Sequence, residues 1–149
     1  MDLFVDDPVS MLIADVYEAA GALRMSGEEI SRAEGVTLTQ WHVMDAITDS
    51  SMTVARAARR MGMSRQAVQK VANGMEKAGL IAYADNPDHK TSPLIALTDR
   101  GLEVQQRLWV RAAASHDERF GGLSPEQLEA TRETLRTITE LTYQVHRGR

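Results

Sequence analysis

Apolar residues recur along most of the chain at spacings of three and four, the period of an α-helix with one buried face. Leu12, Val16, Ala19, Ala20 and Leu23 form the first such stripe, and Asp7-Pro8 just ahead pairs a favoured N-cap with a favoured first helical residue. A helix is predicted from residue 8 to about 34. Gly27 marks a place to bend or end it, whereas Glu28-Glu29-Ile30 continues the pattern. After Gly35, Thr37-Leu38-Thr39 offers caps for a second helix through Trp41, Met44 and Ile47, closed by Asp49-Ser50-Ser51.

Two shorter stripes follow. Behind Thr53, residues Val54, Ala57, Ala58 and Met61 fall at i, i+3, i+4 and i+7, and Gly62 ends that helix. Behind Ser64 the same spacing returns in Val68, Val71, Ala72 and Met75 until Gly79 stops it. Two amphipathic helices thus flank a turn of about three residues. Leu80 to Asp85 then reads as a strand, Asn86-Pro87-Asp88 as a turn, and Pro93 to Leu97 as a returning strand. Thr98 caps a long helix carrying Leu102, Leu108, Trp109, Ala112 and Ala113. Gly121-Gly122 breaks the chain before Ser124-Pro125-Glu126-Gln127, a capping box with Pro at N1. The last helix is expected to bury Leu128, Leu135, Ile138, Leu141 and Val145.

Composition narrows the chemistry. The chain has 149 residues, 43% hydrophobic and 26% charged, which suits one soluble domain. There is no cysteine, which excludes disulfides, thiolate metal sites and cysteine nucleophiles. Met1-Asp2-Leu3-Phe4-Val5-Asp6-Asp7 is acidic where a signal peptide is basic, and no apolar run is long enough to span a bilayer, so a cytoplasmic protein without membrane contact is expected.

The net charge of −4 hides a sharp asymmetry. Residues 1–49 carry 2 basic and 10 acidic side chains, whereas residues 50–80 carry 6 basic and 1 acidic. A polyanion responds to local potential, so an acidic chain with one compact basic module is compatible with a nucleic-acid partner.

That module is the helix pair. Opposite the apolar stripe of its second helix stand Arg65, Gln66, Gln69, Lys70, Asn73 and Lys77, with no acidic residue before Glu76. Arg and Lys reach guanine edges or phosphates, and Gln and Asn can bond adenine bidentately. Ser64 caps the helix while leaving amides to meet a phosphate. Helix, short turn, helix is the arrangement that lays a second helix in the major groove, and the strand pair behind it adds a wing.

From Leu38-Thr39-Gln40-Trp41, through Ala57-Ala58-Arg59-Arg60-Met61-Gly62-Met63-Ser64-Arg65-Gln66-Ala67-Val68-Gln69-Lys70 and Met75-Glu76-Lys77-Ala78-Gly79-Leu80-Ile81, to Leu97-Thr98-Asp99-Arg100-Gly101, the chain resembles MarR-type transcriptional regulators. The resemblance implies a mainly α fold with a small β-hairpin wing: a winged helix-turn-helix lobe at 37–97 within residues 1–149, and long dimerisation helices at 8–34 and 98–146. It implies double-stranded DNA and a second copy of the chain as partners, with no cofactor. The family's wing tip carries aspartate-x-arginine where His89, Lys90 and Thr91 stand here; a shift of one residue aligns Asp88-His89-Lys90 and puts Lys90 in the arginine's role. Lysine lacks the planar fork of arginine, so a weaker or shifted wing contact is expected. Asn73 stands where the family often has an acidic residue.

In such regulators a pocket for aromatic acids or phenols lies between the dimerisation helices and the DNA-binding lobe. Tyr17, Trp41, Met44, Leu108 and Trp109 are candidates to line it here, with Arg24 or His42 pairing an anion; packing in the core or dimer interface is the alternative role for them. His42, His89, His116 and His146 match no tight metal-ligand spacing, which leaves a metal-responsive regulator of the same fold as a second reading. A winged helix that binds protein instead of DNA is a third. No nucleophile elbow, phosphate loop or metal-hydrolase spacing occurs, so no enzyme is expected.

Overall fold

A computed structural model describes residues 7–147, with side chains through Val145. The acidic segment Met1 to Asp6 and the side chain of His146 lie outside the described residues. The element order is α1 (Pro8–Ala33), α2 (Leu38–Ile47), β1 (Met52–Thr53), α3 (Val54–Met61), α4 (Arg65–Lys77), β2 (Ile81–Ala84), β3 (Leu94–Leu97), α5 (Asp99–Phe120) and α6 (Pro125–Arg147).

Most helix starts are the expected ones. The Asp7 carboxylate accepts from the Ser10 hydroxyl and from the Ser10 and Val9 amides, which draw its pKa down. Thr37 and Gln40 form a full capping box, and so do Ser124 and Gln127. Thr53 accepts from the Arg56 amide. Gly62 and Gly79 adopt φ of 65° and 72°, and each is followed by an amide that bonds back five residues, from Met63 to Ala58 and from Leu80 to Met75. These are Schellman stops, and they turn Leu80 into the core as β2 begins.

Three findings depart from the sequence reading. The wing is not a bare hairpin: Met52 and Thr53 pair antiparallel with Ile95 and Leu94, giving a three-stranded sheet in the order β1-β3-β2. Two residues carry too little periodicity to register as a strand, and Thr53 reads more strongly as a helix cap. Gly27 does not end α1, which runs unbroken from Pro8 to Ala33. A Cβ at Gly27 would sit 2.8 Å from Leu38 Cδ1, so the glycine marks where α2 packs close. Finally, Leu128, Leu135, Leu141 and Val145 of α6 are not buried but exposed among the described residues.

Compactness divides the chain after Ala112. In the first unit the core is built from α2, α3, α4, the sheet and the first half of α5, with Val43, Met44, Ala57, Val68, Ala72, Met75, Ile95 and Leu108 fully buried. The apolar stripes of α3 and α4 therefore point where their spacing requires, with Met61 and Val71 partly covered at the margin. The C-terminal end of α1 joins this core through Ile30, and Glu34 receives Arg107 Nε at 2.7 Å and Arg111 Nε at 2.5 Å. Those two guanidinium groups hold its carboxyl below the ordinary value of 4.5. The second unit holds the end of α5 and all of α6, and no described residue of α6 is buried.

Candidate nucleic-acid interface

Because Val68, Ala72 and Met75 anchor α4 in the core, helical geometry turns the opposite face to solvent. Ser64, Arg65, Gln66, Lys70, Asn73 and Lys77 are exposed there and Gln69 is half-buried. Ser64 Oγ accepts from the Ala67 amide at 3.1 Å. The N-terminal turn of α4 thus combines a partial positive charge with Arg65 beside it, a combination that attracts phosphate oxygens. The preceding helix braces α4: Arg60, one of the basic residues of the module, donates from Nη1 to the Ala46 carbonyl at 3.1 Å and ties α3 to α2. Arg59 and Arg60 are both exposed, and periodicity alone does not tell which of them makes this bond.

The wing tip is ordered by its own turn chemistry. Asn86 accepts from the Asp88 amide through Oδ1 and donates through Nδ2 to the Ser92 carbonyl, at 3.1 and 2.8 Å. Thr91 Oγ1 and His89 Nδ1 lie 3.1 Å apart. Lys90 between them is exposed and takes no partner among the described residues, so its ammonium is free to reach outward.

Sequence reasoning overlooked Tyr83. This β2 residue, on the same face of the strand as buried Ile81, brings its hydroxyl to Gln69 and Asn73 of α4. Gln69 Nε2 donates to Asn73 Oδ1 and to Tyr83 Oη, each at 2.8 Å. The signal was the period-two spacing of Ile81 and Tyr83, which puts an aromatic hydroxyl on the helix-facing side of the wing.

The candidate effector residues are not gathered together, and two of them, Met44 and Leu108, are fully buried in the core. Tyr17 is 76% exposed on α1 and Arg24 is paired with Glu28 one turn on. His42 is exposed on α2. Trp109 does reach α2: Asp45 accepts from Trp109 Nε1 at 3.1 Å and from Gln105 Nε2 at 2.9 Å, whereas Trp41, one turn before Asp45, packs half-buried against the core. Gln105 is fully enclosed and also bonds Thr48, yet its Oε1 has no partner; the buried Trp41 Nε1 has none either. Among the described residues no three of His, Asp and Glu converge to hold a metal ion. No helix there is long and apolar enough to cross a membrane.

A helix pair carrying a basic, amide-rich outer face, followed by a small antiparallel wing, defines a winged helix-turn-helix protein. The MarR family model matches residues 34–90, from the end of α1 to the wing tip, and the chain belongs to that family. Its members are DNA-binding transcriptional regulators and not enzymes. The chain is similar to the uncharacterized protein Rv2011c of Mycobacterium tuberculosis, at 42% identity over 90% of this chain and 94% of that one. In fold it is similar to AbsC, a MarR family transcriptional regulator from Streptomyces coelicolor, with a TM-score of 0.80 at 19% identity over 93% and 97% of the two chains. It is likewise similar to CouR from Rhodococcus jostii RHA1 bound to p-coumaroyl-CoA, with a TM-score of 0.76 at 20% identity over 89% and 92%.

Proposed function

We propose that the protein is a homodimeric repressor that binds a pseudo-palindromic operator through α4 and the wing and is released by a small aromatic or phenolic ligand. The observation that carries the DNA-binding reading is the outer face of α4, where Arg65, Gln66, Gln69, Lys70 and Asn73 stand together without an acidic neighbour before Glu76. On this reading α4 reads bases while His89, Lys90 and Thr91 of the wing supply contacts to the backbone or minor groove. Gln69→Ala relaxes preference at one base pair per half-site, costing about 1–3 kcal/mol against the preferred base. Lys90→Ala weakens all sequences alike and flattens the salt dependence. Binding of both variants across a randomised site library checks this; unaltered affinity and preference in Gln69→Ala would mean that another face reads DNA.

The effector reading rests on Trp41, Asp45 and Trp109. The buried Trp41 N–H and the Gln105 oxygen, each without a partner among the described residues, leave hydrogen-bonding capacity that a ligand could use. CouR, similar in fold, is bound to p-coumaroyl-CoA. A ligand shifts operator affinity only through its differential affinity for two dimer shapes, and a coupling of about 1–3 kcal/mol weakens binding roughly 5- to 150-fold. Titration with phenols and aromatic acids is expected to change tryptophan fluorescence and operator affinity together. Quenching without loss of DNA affinity would identify a pocket that is no switch, and release by zinc alone would favour the metal-responsive alternative.

A further inference from the structure

The amides expected to read bases are not independent of the wing. Gln69 and Asn73 stand one turn apart on α4, and Tyr83 reaches them from β2. Gln69 Nε2 uses one hydrogen on Asn73 Oδ1 and the other on Tyr83 Oη, both at 2.8 Å, and the Tyr83 hydroxyl donates to Asn73 Oδ1 at 3.2 Å. Three side chains close a ring. Tyr83 is itself fixed, since its ring packs half-buried against the core.

Closure changes what the helix offers to a base. A bidentate contact from one amide to adenine needs that amide's own donor and its own acceptor. Gln69, held in the ring, has only Oε1 to offer, and Asn73 has only Nδ2; neither atom meets a partner among the described residues. Together they still present one acceptor and one donor, one helical turn apart on the same face. The ring closes equally well with both amides turned over, because the tyrosine hydroxyl both donates and accepts. In that arrangement Gln69 presents the donor and Asn73 the acceptor, so the pair is complementary to a base edge either way.

We propose that Tyr83 is a positioning residue for base recognition: its hydroxyl locks Gln69 and Asn73 into one composite donor–acceptor pair aimed at the major groove. This rests on the reading of α4 as the recognition helix. The chemistry that fits is a base edge with an adjacent donor and acceptor, the N6 amino group and N7 of adenine being the match within a single base. Holding two flexible amides in place before contact lowers the ordering cost of binding, so the lock acts on specificity without touching DNA.

The test uses Tyr83→Phe, which keeps the ring and its packing and removes only the hydroxyl. Asn73→Ala, on the exposed helix surface, breaks the same ring without disturbing the wing. With the full-length protein and a randomised site library, both variants are expected to lose about fivefold to tenfold of discrimination at the base pair that Gln69→Ala affects. The salt dependence of binding should stay as in the parent protein, and Tyr83→Phe/Gln69→Ala should be no less selective than Gln69→Ala alone. Unchanged preference in Tyr83→Phe and Asn73→Ala, beside altered preference in Gln69→Ala, would overturn the lock while leaving α4 as the reading helix. Unchanged preference in all three would overturn both.

Discussion

Gly101→Ala is expected to be the most damaging single-methyl change in the described chain. A Cβ at that position would lie 2.1 Å from the Leu80 carbonyl oxygen and 3.1 Å from a Leu97 methyl. The neighbour is backbone, and it is pinned. Leu80 O accepts from the Thr98 amide at 3.1 Å, Thr98 Oγ1 donates to the Gly79 carbonyl at 2.6 Å, and the Gly101 amide donates back to Thr98 Oγ1 at 3.0 Å. The end of α4, the start of β2 and the start of α5 therefore meet at one knot, and although the Leu97 side chain could give way, the nearer Leu80 carbonyl could not. Forcing a methyl into it costs about 3 kcal/mol or more, well above the ~1 kcal/mol that alanine gains over glycine in a helix. At roughly 2–4 °C per kcal/mol, thermal unfolding followed by circular dichroism should fall by several degrees. Gly74→Ala is the control: nothing lies within 4 Å of its Cβ position, and a small rise in stability is expected. Equal melting of Gly101→Ala and the parent would refute the packing described for this junction.

The second large effect is expected from the face of α6. Leu128 and Leu135 lie two turns apart on one face, 45% and 41% exposed, and Val145 near the end of the helix is 62% exposed. A 23-residue helix with no buried described residue draws little stability from one chain alone. α1 repeats the situation, with Leu12 and Leu23 exposed. A second copy of the chain would cover such stripes. Sedimentation is expected to give a particle near twice 16.5 kDa. Leu128→Glu/Leu135→Glu should shift it to the monomer and weaken operator binding by about 10²- to 10⁴-fold, the loss that follows when two half-sites are no longer held by one particle. A parent protein that stays monomeric at micromolar concentration and still binds one half-site tightly would contradict the dimer.

How legible the molecule was in its sequence differs from place to place. The helix ends were readable because Asp7, Thr53, Ser64, Gly62 and Gly79 act through their own backbone and the next few residues. The faces of α3 and α4 were readable because their stripes pack against a core within the same chain. β1 was not, since Met52 and Thr53 are strand residues only by virtue of pairing with β3 about forty positions away. The α6 stripe was legible as apolar, but a stripe alone does not say whether its cover comes from the same chain. At the candidate site the exposed set on α4 was legible from helical period; the Tyr83 ring was not, because it depends on how the wing docks against the helix. Glu34 with Arg107 and Arg111 escaped for the same reason, joining residues more than seventy positions apart.

If α4 and the wing face DNA, binding must weaken steeply as salt rises. DNA recovered by the protein from a random library should be bound with an affinity whose logarithm falls linearly with the logarithm of salt concentration. Arg65, Lys70 and Lys90, doubled by a second copy, supply about six phosphate-facing charges and a slope of about −5. Replacing Lys90 in both copies should flatten that slope by about 2. No recovered DNA, or binding indifferent to salt and to Lys90, would contradict the account and leave the winged helix as a protein-binding module.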